Sequence, residues 1–289
     1  MKILITGVSG FIGERLARRL AGTHTVLGMA RSPIEEPASM EFVQGSFDNP
    51  EDLQKLDGEQ IDAVIHLAAV TGGCSEEDGL AVNVQGTRRL YRYLIGQGCR
   101  RFITASSIAA VGCLDAGFIP QQLPIPDDHP CLAKDAYGLS KAMVEEVTRY
   151  FHRITPVSEF INLRFGSVVP DESWTPPVIG TDTRLNAPYV LLGRVFASDI
   201  VEGLVRIVEA PPADRVLNCN FVGPDSGSTV SSIEMLEALL GDHAADFDLS
   251  AYREPDGKYL PLYDMRRMKQ EFGFSPVKLT RAIEDNSIL

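Results

Sequence analysis

Three groups of residues have the types and spacing to do chemistry together. Tyr137 and Lys141 stand four apart in a strongly patterned stretch, 136–153, where a helix puts both side chains on one face. Free tyrosine titrates near ~10, and a nearby ammonium favours the phenolate, which makes tyrosine an acid/base near neutrality. The Tyr-x-x-x-Lys spacing is common, so its weight comes from its company. Ser106-Ser107 closes the apolar run 101–105, and Gly7, Gly10 and Gly13 form a G-x-x-G-x-x-G loop after the apolar run 2–6.

A strand, a glycine turn and a helix start make an anion cradle. Free backbone N–H groups and the positive end of the helix dipole face a pyrophosphate there. Gly7 serves the turn, Gly10 the close approach of phosphate, and Gly13 the packing of helix on strand, with Phe11 and Ile12 between them. This reads as dinucleotide binding. An acid at the end of the second strand would hold an NAD ribose, whereas arginine accommodates the 2′-phosphate of NADP. That slot holds Ala30, followed by Arg31 and Ser32, and no acid occurs before Glu35. NADP(H) is therefore the preferred cofactor and NAD the alternative.

The elements that must position these groups alternate. Strands are expected at 2–6, 25–29, 40–44, 61–67, 101–105 and 159–164. Helices are expected at 11–21, 50–56, 80–97 and 136–153. Such alternation predicts an α/β fold, a Rossmann-type doubly wound parallel sheet covered on both faces. After Pro170 the texture changes to an irregular, proline-rich segment. Helices at 199–209, 229–240 and 264–272 and a strand at 216–221 follow. The organisation expected is a dinucleotide-binding domain, 1–165, and a small, discontinuous α/β substrate lobe, 166–289, capping the carboxyl ends of the strands.

Composition narrows the function. The 289 residues carry 27 Lys+Arg against 39 Asp+Glu, a net charge of −12, with no basic run. Nucleic-acid binding depends on cations neutralising phosphates, so no nucleic-acid partner is expected. The apolar start is too short for a signal-peptide core, and no stretch approaches the ~20 apolar residues of a membrane span. Five scattered cysteines form no C-x-x-C pair and read as free thiols of a cytoplasmic protein. No metal site is expected, and neither Cys74 nor Cys113 has a histidine placed to make it a nucleophile.

Taken in order, these residues resemble the extended short-chain dehydrogenase/reductases of the NAD-dependent epimerase/dehydratase family. The likeness runs through Thr6–Gly13, Asp62-Ala63-Val64-Ile65-His66-Leu67-Ala68-Ala69 and Asn83-Val84-Gln85-Gly86-Thr87. It continues through Ser106-Ser107, Tyr137 with Lys141, Leu163-Arg164-Phe165-Gly166-Ser167 and Phe272-Gly273-Phe274-Ser275-Pro276. The resemblance implies Tyr137 as acid/base, and Lys141 on the nicotinamide ribose while lowering the tyrosine pKa. Ser107 would hydrogen-bond the reacting oxygen. Leu67, Ala68 and Ala69 would line the cofactor, Asn83 would support the adjacent loop, and His66 would be structural.

The departures from the family pattern matter equally. Nucleotide-sugar enzymes carry asparagine where this chain has Ser167, and arginine where alignment on Asp199 places Leu192, with Arg194 two positions off. Dehydratases carry Asp-Glu where Ile108-Ala109 stand, and Ser46 replaces an adenine-contacting aspartate. The Gly166-Ser167 step and the short lobe are similar to the uronate dehydrogenase branch. The reading is a hydride-transferring oxidoreductase acting on a sugar, sugar acid or similar small molecule, with Thr71, Ser107 and Ser167 as substrate contacts. A nucleotide-sugar epimerase with retained cofactor is the alternative, and a non-enzymatic redox sensor is disfavoured by the intact Tyr137–Lys141 pair. A homodimer is left open.

Overall fold

The computed structural model describes residues 1–34, 40–155 and 157–283; Glu35 lies outside them. Among the described residues nine strands form: β1 (Lys2–Thr6), β2 (Thr25–Ala30), β3 (Glu41–Gln44), β4 (Ala63–His66), β5 (Arg101–Ser107), β6 (Glu159–Phe165), β7 (Ser167–Val169), β8 (Arg194–Phe196) and β9 (Arg215–Phe221). Seven build one sheet in the order β3-β2-β1-β4-β5-β6-β9, with every pairing parallel. The order reverses at β1, whose neighbours are β2 and β4, and a crevice opens at such a switch point.

Strand alternation sorts the core into two layers. Ile3, Ile5, Ile65, Ile103 and Ile161 face one layer, with Leu16 and Leu20 of the helix Phe11–Leu20 and Ile200 and Leu204 of the helix Ala197–Glu209. Leu4, Val64, Phe102 and Phe160 face the other, with Leu90, Tyr91 and Leu94 of the helix Thr87–Gly96 and Phe151 of the helix Ala136–Ile154. A third apolar cluster joins Ile108 and Ile125 to Ile179, Tyr189, Leu192, Leu236, Leu262 and Tyr263. It seats the later segments on the strand ends.

Two features depart from the expected organisation. The strand expected at 216–221, assigned to the second lobe, is the seventh strand of the main sheet, paired with β6 from Glu159↔Arg215 to Phe165↔Phe221. The helix before it packs on the helix Phe11–Leu20, in the first core layer. The lobe thus gives an apolar strand and helix back to the sheet, because β6 would otherwise be an uncovered edge. A two-stranded parallel sheet, β7–β8, also flanks the irregular segment; its strands are too short to show a period.

The long helix expected at 80–97 is two pieces. Gly79–Gly86 is wound as a wider π-helix, and Thr87–Gly96 is α-helical. Such local widening recurs at functional sites. The helix expected from 229 runs Ser232–Leu240, started by a capping box between Ser231 and Glu234. Among the described residues, no helix is long and apolar enough to cross a membrane.

Candidate active site

The glycine loop is a cradle that side chains would fill. A Cβ on Gly7, which has φ +74°, would sit 2.8 Å from the Ala68 nitrogen. One on Gly13 would sit 2.3 Å from the Gly7 carbonyl oxygen. The chain therefore wraps tightly beneath the start of the helix Phe11–Leu20, whose N-cap is Gly10 with no side-chain cap. Its first N–H groups have no intrahelical partner and face the crevice, as a pyrophosphate requires. By these contacts the loop fits a dinucleotide.

Two adjoining cavities extend from the loop, of ≈ 270 Å³ and ≈ 320 Å³. The first is lined by Gly7, Gly10, Phe11, Ile12, Gly13, Leu67, Ala69 and Thr71, and by Ser107, Tyr137 and Lys141. The second is lined by Ala30, Arg31, Ser46, Phe47, Asp48, Ala68, Ala69 and Thr71. The chemistry-bearing end and the Arg31 end are thus parts of one cleft, joined at the glycine loop and Leu67. Ser32 is exposed and lines neither cavity. Phe165, Gly166 and Val168 line the first cavity, although sequence reasoning assigned them no role. Asp48 was also missed. It stands two residues beyond Ser46, accepts a hydrogen bond from the Ser46 hydroxyl, and puts a carboxylate in the second cavity.

Tyr137 and Lys141 project from the first turns of the helix Ala136–Ile154, which is N-capped by Asp135 through its hydrogen bond to the Gly138 nitrogen. Burial pulls the Lys141 ammonium down to about 8. Its Nζ donates to the Ala105 carbonyl at 2.7 Å and lies 5.6 Å from the Tyr137 ring centroid. The resemblance implied a lowered Tyr137 pKa, but burial pushes the phenol above its ordinary value, with the neighbouring Ser107 hydroxyl opposing that rise. The lysine is turned to the β5 carbonyl, so in this arrangement serine, rather than ammonium, eases the phenol towards ionisation. Ser107 is itself held, its Oγ accepting from the Ala109 nitrogen at 3.1 Å.

The two serines divide their work. Ser106 Oγ donates to Glu145 at 2.8 Å, within a buried network behind the site. Glu145 makes two hydrogen bonds with Arg164, both 2.9 Å, and accepts another from Asn218 at 3.0 Å. Arg164 also donates to the carbonyls of Asp127 and His129. One side chain of the Tyr137 helix is thereby tied to β5, β6, β9 and the 127–131 segment.

Asn83 holds the opposite wall. Its Oδ1 accepts from the Val70 nitrogen at 2.9 Å, and its Nδ2 donates to the Val70 carbonyl at 3.0 Å. His66 lies behind this wall, and burial drives its pKa down to about 3. As a neutral ring it accepts from Thr6 at 2.6 Å through Nδ1 and donates to Thr87 at 2.9 Å through Nε2. Thr87 in turn donates to the Asn83 carbonyl. Each group is satisfied once, which is a structural role. Burial likewise lifts the Cys113 thiol to about 12.

Ser167 heads β7 between Gly166 and Val168, in register with Arg194 of β8, and lies outside both cavities. A Cβ on Gly166 would fall 1.9 Å from the Gly193 carbonyl, so glycine lets β6 run into β7 beneath residue 193. Asp199, the alignment anchor, accepts from the Val277 and Lys278 nitrogens. It docks the segment after Phe272–Pro276 onto the helix Ala197–Glu209.

The chain is similar to known proteins in sequence and in fold. The family model described as NAD dependent epimerase/dehydratase matches residues 3–174. A UDP-glucose 4-epimerase of Pisum sativum is 28% identical over 185 residues, covering 57% of this chain and 51% of its own length. A uronate dehydrogenase of Pseudomonas putida is 28% identical over 172 residues, covering 58% and 62%. The chain thus matches about half to three-fifths of the length of these relatives. A solved short-chain dehydrogenase/reductase superfamily protein from Agrobacterium tumefaciens, with bound NAD, superposes with a TM-score of 0.68 at 21% identity, covering 97% of this chain and 94% of that one. With the family matched across more than half its length, the chain belongs to the NAD-dependent epimerase/dehydratase family.

Proposed function

We propose that the chain is an NAD(P)-dependent oxidoreductase that interconverts a carbinol and a carbonyl on a sugar, sugar acid or similar hydroxylated molecule. The observation that carries this is the gathering of Ser107, Tyr137 and Lys141 into the cavity that begins at the glycine loop. A bound nicotinamide supplies the hydride acceptor or donor. Gly7, Gly10, Gly13, Phe11 and Ile12 would hold its pyrophosphate, Leu67, Ala68, Ala69 and Asn83 its flank, and Lys141 its ribose. Tyr137 gives or takes the proton on the reacting oxygen, and Ser107 hydrogen-bonds that oxygen. The raised phenol pKa keeps the proton on Tyr137, ready for donation in the reductive direction.

NADP(H) is the proposed preference. Arg31 lines the cleft end opposite the catalytic group, while Ala30 occupies the acid slot there. Thr71, Ser107 and Ser167 are the proposed substrate contacts. A homodimer is proposed from Leu139, Met143, Tyr150 and Ile154, which are exposed by 37%, 39%, 41% and 45% at helical spacing on the helix Ala136–Ile154. Sedimentation as a monomer at micromolar concentration would remove that proposal.

The second reading, an epimerase with retained cofactor, is favoured by the pea relative and disfavoured by Ser167 and Leu192 at the nucleotide-sugar positions. Sugar acids, free sugars and UDP-sugars incubated with NAD and with NADP separate the two. Net change in nicotinamide absorbance supports the oxidoreductase, and isomerised product without it supports the epimerase. Neither outcome with any member of the panel would sink both.

A further inference from the structure

Another cavity, of ≈ 430 Å³, is larger than either half of the cleft and shares no lining residue with them. Its volume falls within the ~300–1,000 Å³ of small-molecule sites. Pro124, Pro224, Pro261, Pro276, Leu260 and Met265 supply most of its wall. Proline has no N–H to offer a ligand or water. Backbone groups of the lining are spent on neighbouring segments. Ile125, beside Pro124, donates to the Leu262 carbonyl at 2.8 Å and accepts from the Asp264 nitrogen at 2.9 Å. The Leu260 carbonyl accepts from the Ser232 hydroxyl at 2.8 Å, and the Pro261 carbonyl from the Tyr252 hydroxyl at 3.2 Å. Tyr263, also in the wall, turns its hydroxyl to the Tyr189 carbonyl at 3.2 Å. Collapse of the cavity would break these bonds, so its apolar surface stays in water until a ligand covers it.

The charges at the cavity do not balance. Asp264 lines it and is neutralised by Arg266, which donates three hydrogen bonds to its carboxylate. Lys269, one turn further along the helix Arg266–Phe272, lines it as well, and among the described residues has no acid within ion-pair distance. Two cations and one carboxylate leave a local excess of positive charge, in a chain whose net charge is −12. An exposed lysine is ordinary on a solvated face. Beside an apolar hollow it selects a molecule with an apolar body and one negative group. Proline and aromatic faces complement each other, as in the aromatic grooves that take proline-rich segments. Here the prolines form the wall, so the matching body is a flat ring.

We propose that this cavity binds a small aromatic monoanion, an aryl carboxylate or sulfonate, with its ring against the prolines and its charge at Lys269. The site is separate from the cofactor cleft, and its occupancy does not depend on the oxidoreductase reading.

Anilinonaphthalene sulfonate is the probe, because its emission rises on apolar surfaces. It is titrated into the full chain saturated with NAD and, separately, with NADP, so that the cleft is occupied. A saturable rise is expected, reversed by phenylpropionate and not by phenylpropanol. Lys269→Glu, at an exposed position, should weaken binding ~10-fold, because reversal replaces a rim attraction by a repulsion of similar size. Ala251→Trp, which fills the cavity from an exposed lining position, should abolish it. Circular dichroism and the melting midpoint check that each variant is folded; if Ala251→Trp does not fold, Lys269→Glu carries the comparison. No saturable rise, or one lost on adding either dinucleotide, overturns the site. Unchanged affinity in either folded variant overturns it, as does displacement by the alcohol as readily as by the acid. A rise that fades with increasing protein concentration means that a second copy fills the cavity, and overturns it too.

Discussion

Asn83 and Ser140 meet where the π-helical segment Gly79–Gly86 packs on the helix Ala136–Ile154. The Asn83 amide donates to the Ser140 hydroxyl at 2.9 Å, and that hydroxyl donates to the Tyr137 carbonyl at 2.7 Å. The same asparagine holds Val70 by both backbone groups. One amide therefore sets the distance between the loop expected to flank the cofactor and the helix that carries Tyr137. Asn83→Ala strands a buried N–H and C=O, a loss of ~1–3 kcal/mol. Weakening of cofactor binding by about tenfold is expected in a fluorescence titration. An unchanged dissociation constant would show that the loop holds its place without Asn83.

Tyr137→Phe keeps the ring and removes the oxygen that carries the proton. Turnover should fall ~10²–10⁴-fold, the usual scale for a general acid/base, with cofactor affinity nearly unaltered. Lys141→Ala should damage both, because Lys141 also braces β5 through the Ala105 carbonyl. Near-normal turnover by the phenylalanine variant would send the search for the acid/base elsewhere in the cavity.

Cofactor choice is tested at Arg31. Arg31→Ala should weaken NADPH far more than NADH, by the ~1.5–3 kcal/mol of a hydrogen bond to a charged group. Asp48 in the same cavity pulls the other way, since a carboxylate repels a 2′-phosphate. Asp48→Asn should therefore improve NADPH binding relative to NADH. Equal losses for both cofactors in Arg31→Ala would remove it as the selector.

Acid stability reports on His66. Its folded pKa of about 3 lies below the ordinary value of 6.5, so between those values the unfolded chain binds more protons. Stability then rises with pH across that window and is lost on acidification through it. Asp127, lifted to about 6 by burial, contributes in the opposite sense from pH 6 down to its ordinary value. His66→Gln should flatten the fall of the melting midpoint on acidification, leaving the Asp127 contribution in place. Parallel midpoint profiles for the two proteins would be incompatible with a buried neutral His66.

Gly166→Ala tests the β6–β7 junction. The added carbon would lie 1.9 Å from the Gly193 carbonyl, a backbone atom with no rotamer to yield. A loss of ~1–3 kcal/mol or more is expected in denaturant melts, the range for overpacking. Gly22→Ala, with nothing within 4 Å, is the control and should change little. Equal midpoints for the two variants would mean the junction relaxes freely.

The sequence alone determined the parts whose physics is local. The glycine spacing, the Tyr137–Lys141 repeat and the apolar strand runs each act within one turn or one strand, so the parallel sheet and the residues that gather in the candidate cavity were legible in it. The tertiary structure decided what depends on distant chain segments. Burial of Tyr137 and the turn of Lys141 to Ala105 set the phenol pKa, which no i, i+4 spacing encodes. Asp48 enters the cleft only because β3 lies beside β2, and Ser32 misses it by the path of one loop. Strand β9 was recognised as a strand but assigned to the lobe, because an apolar run does not name its partner. The β7–β8 pairing was missed because its strands are three residues long, too short to leave a period in the sequence.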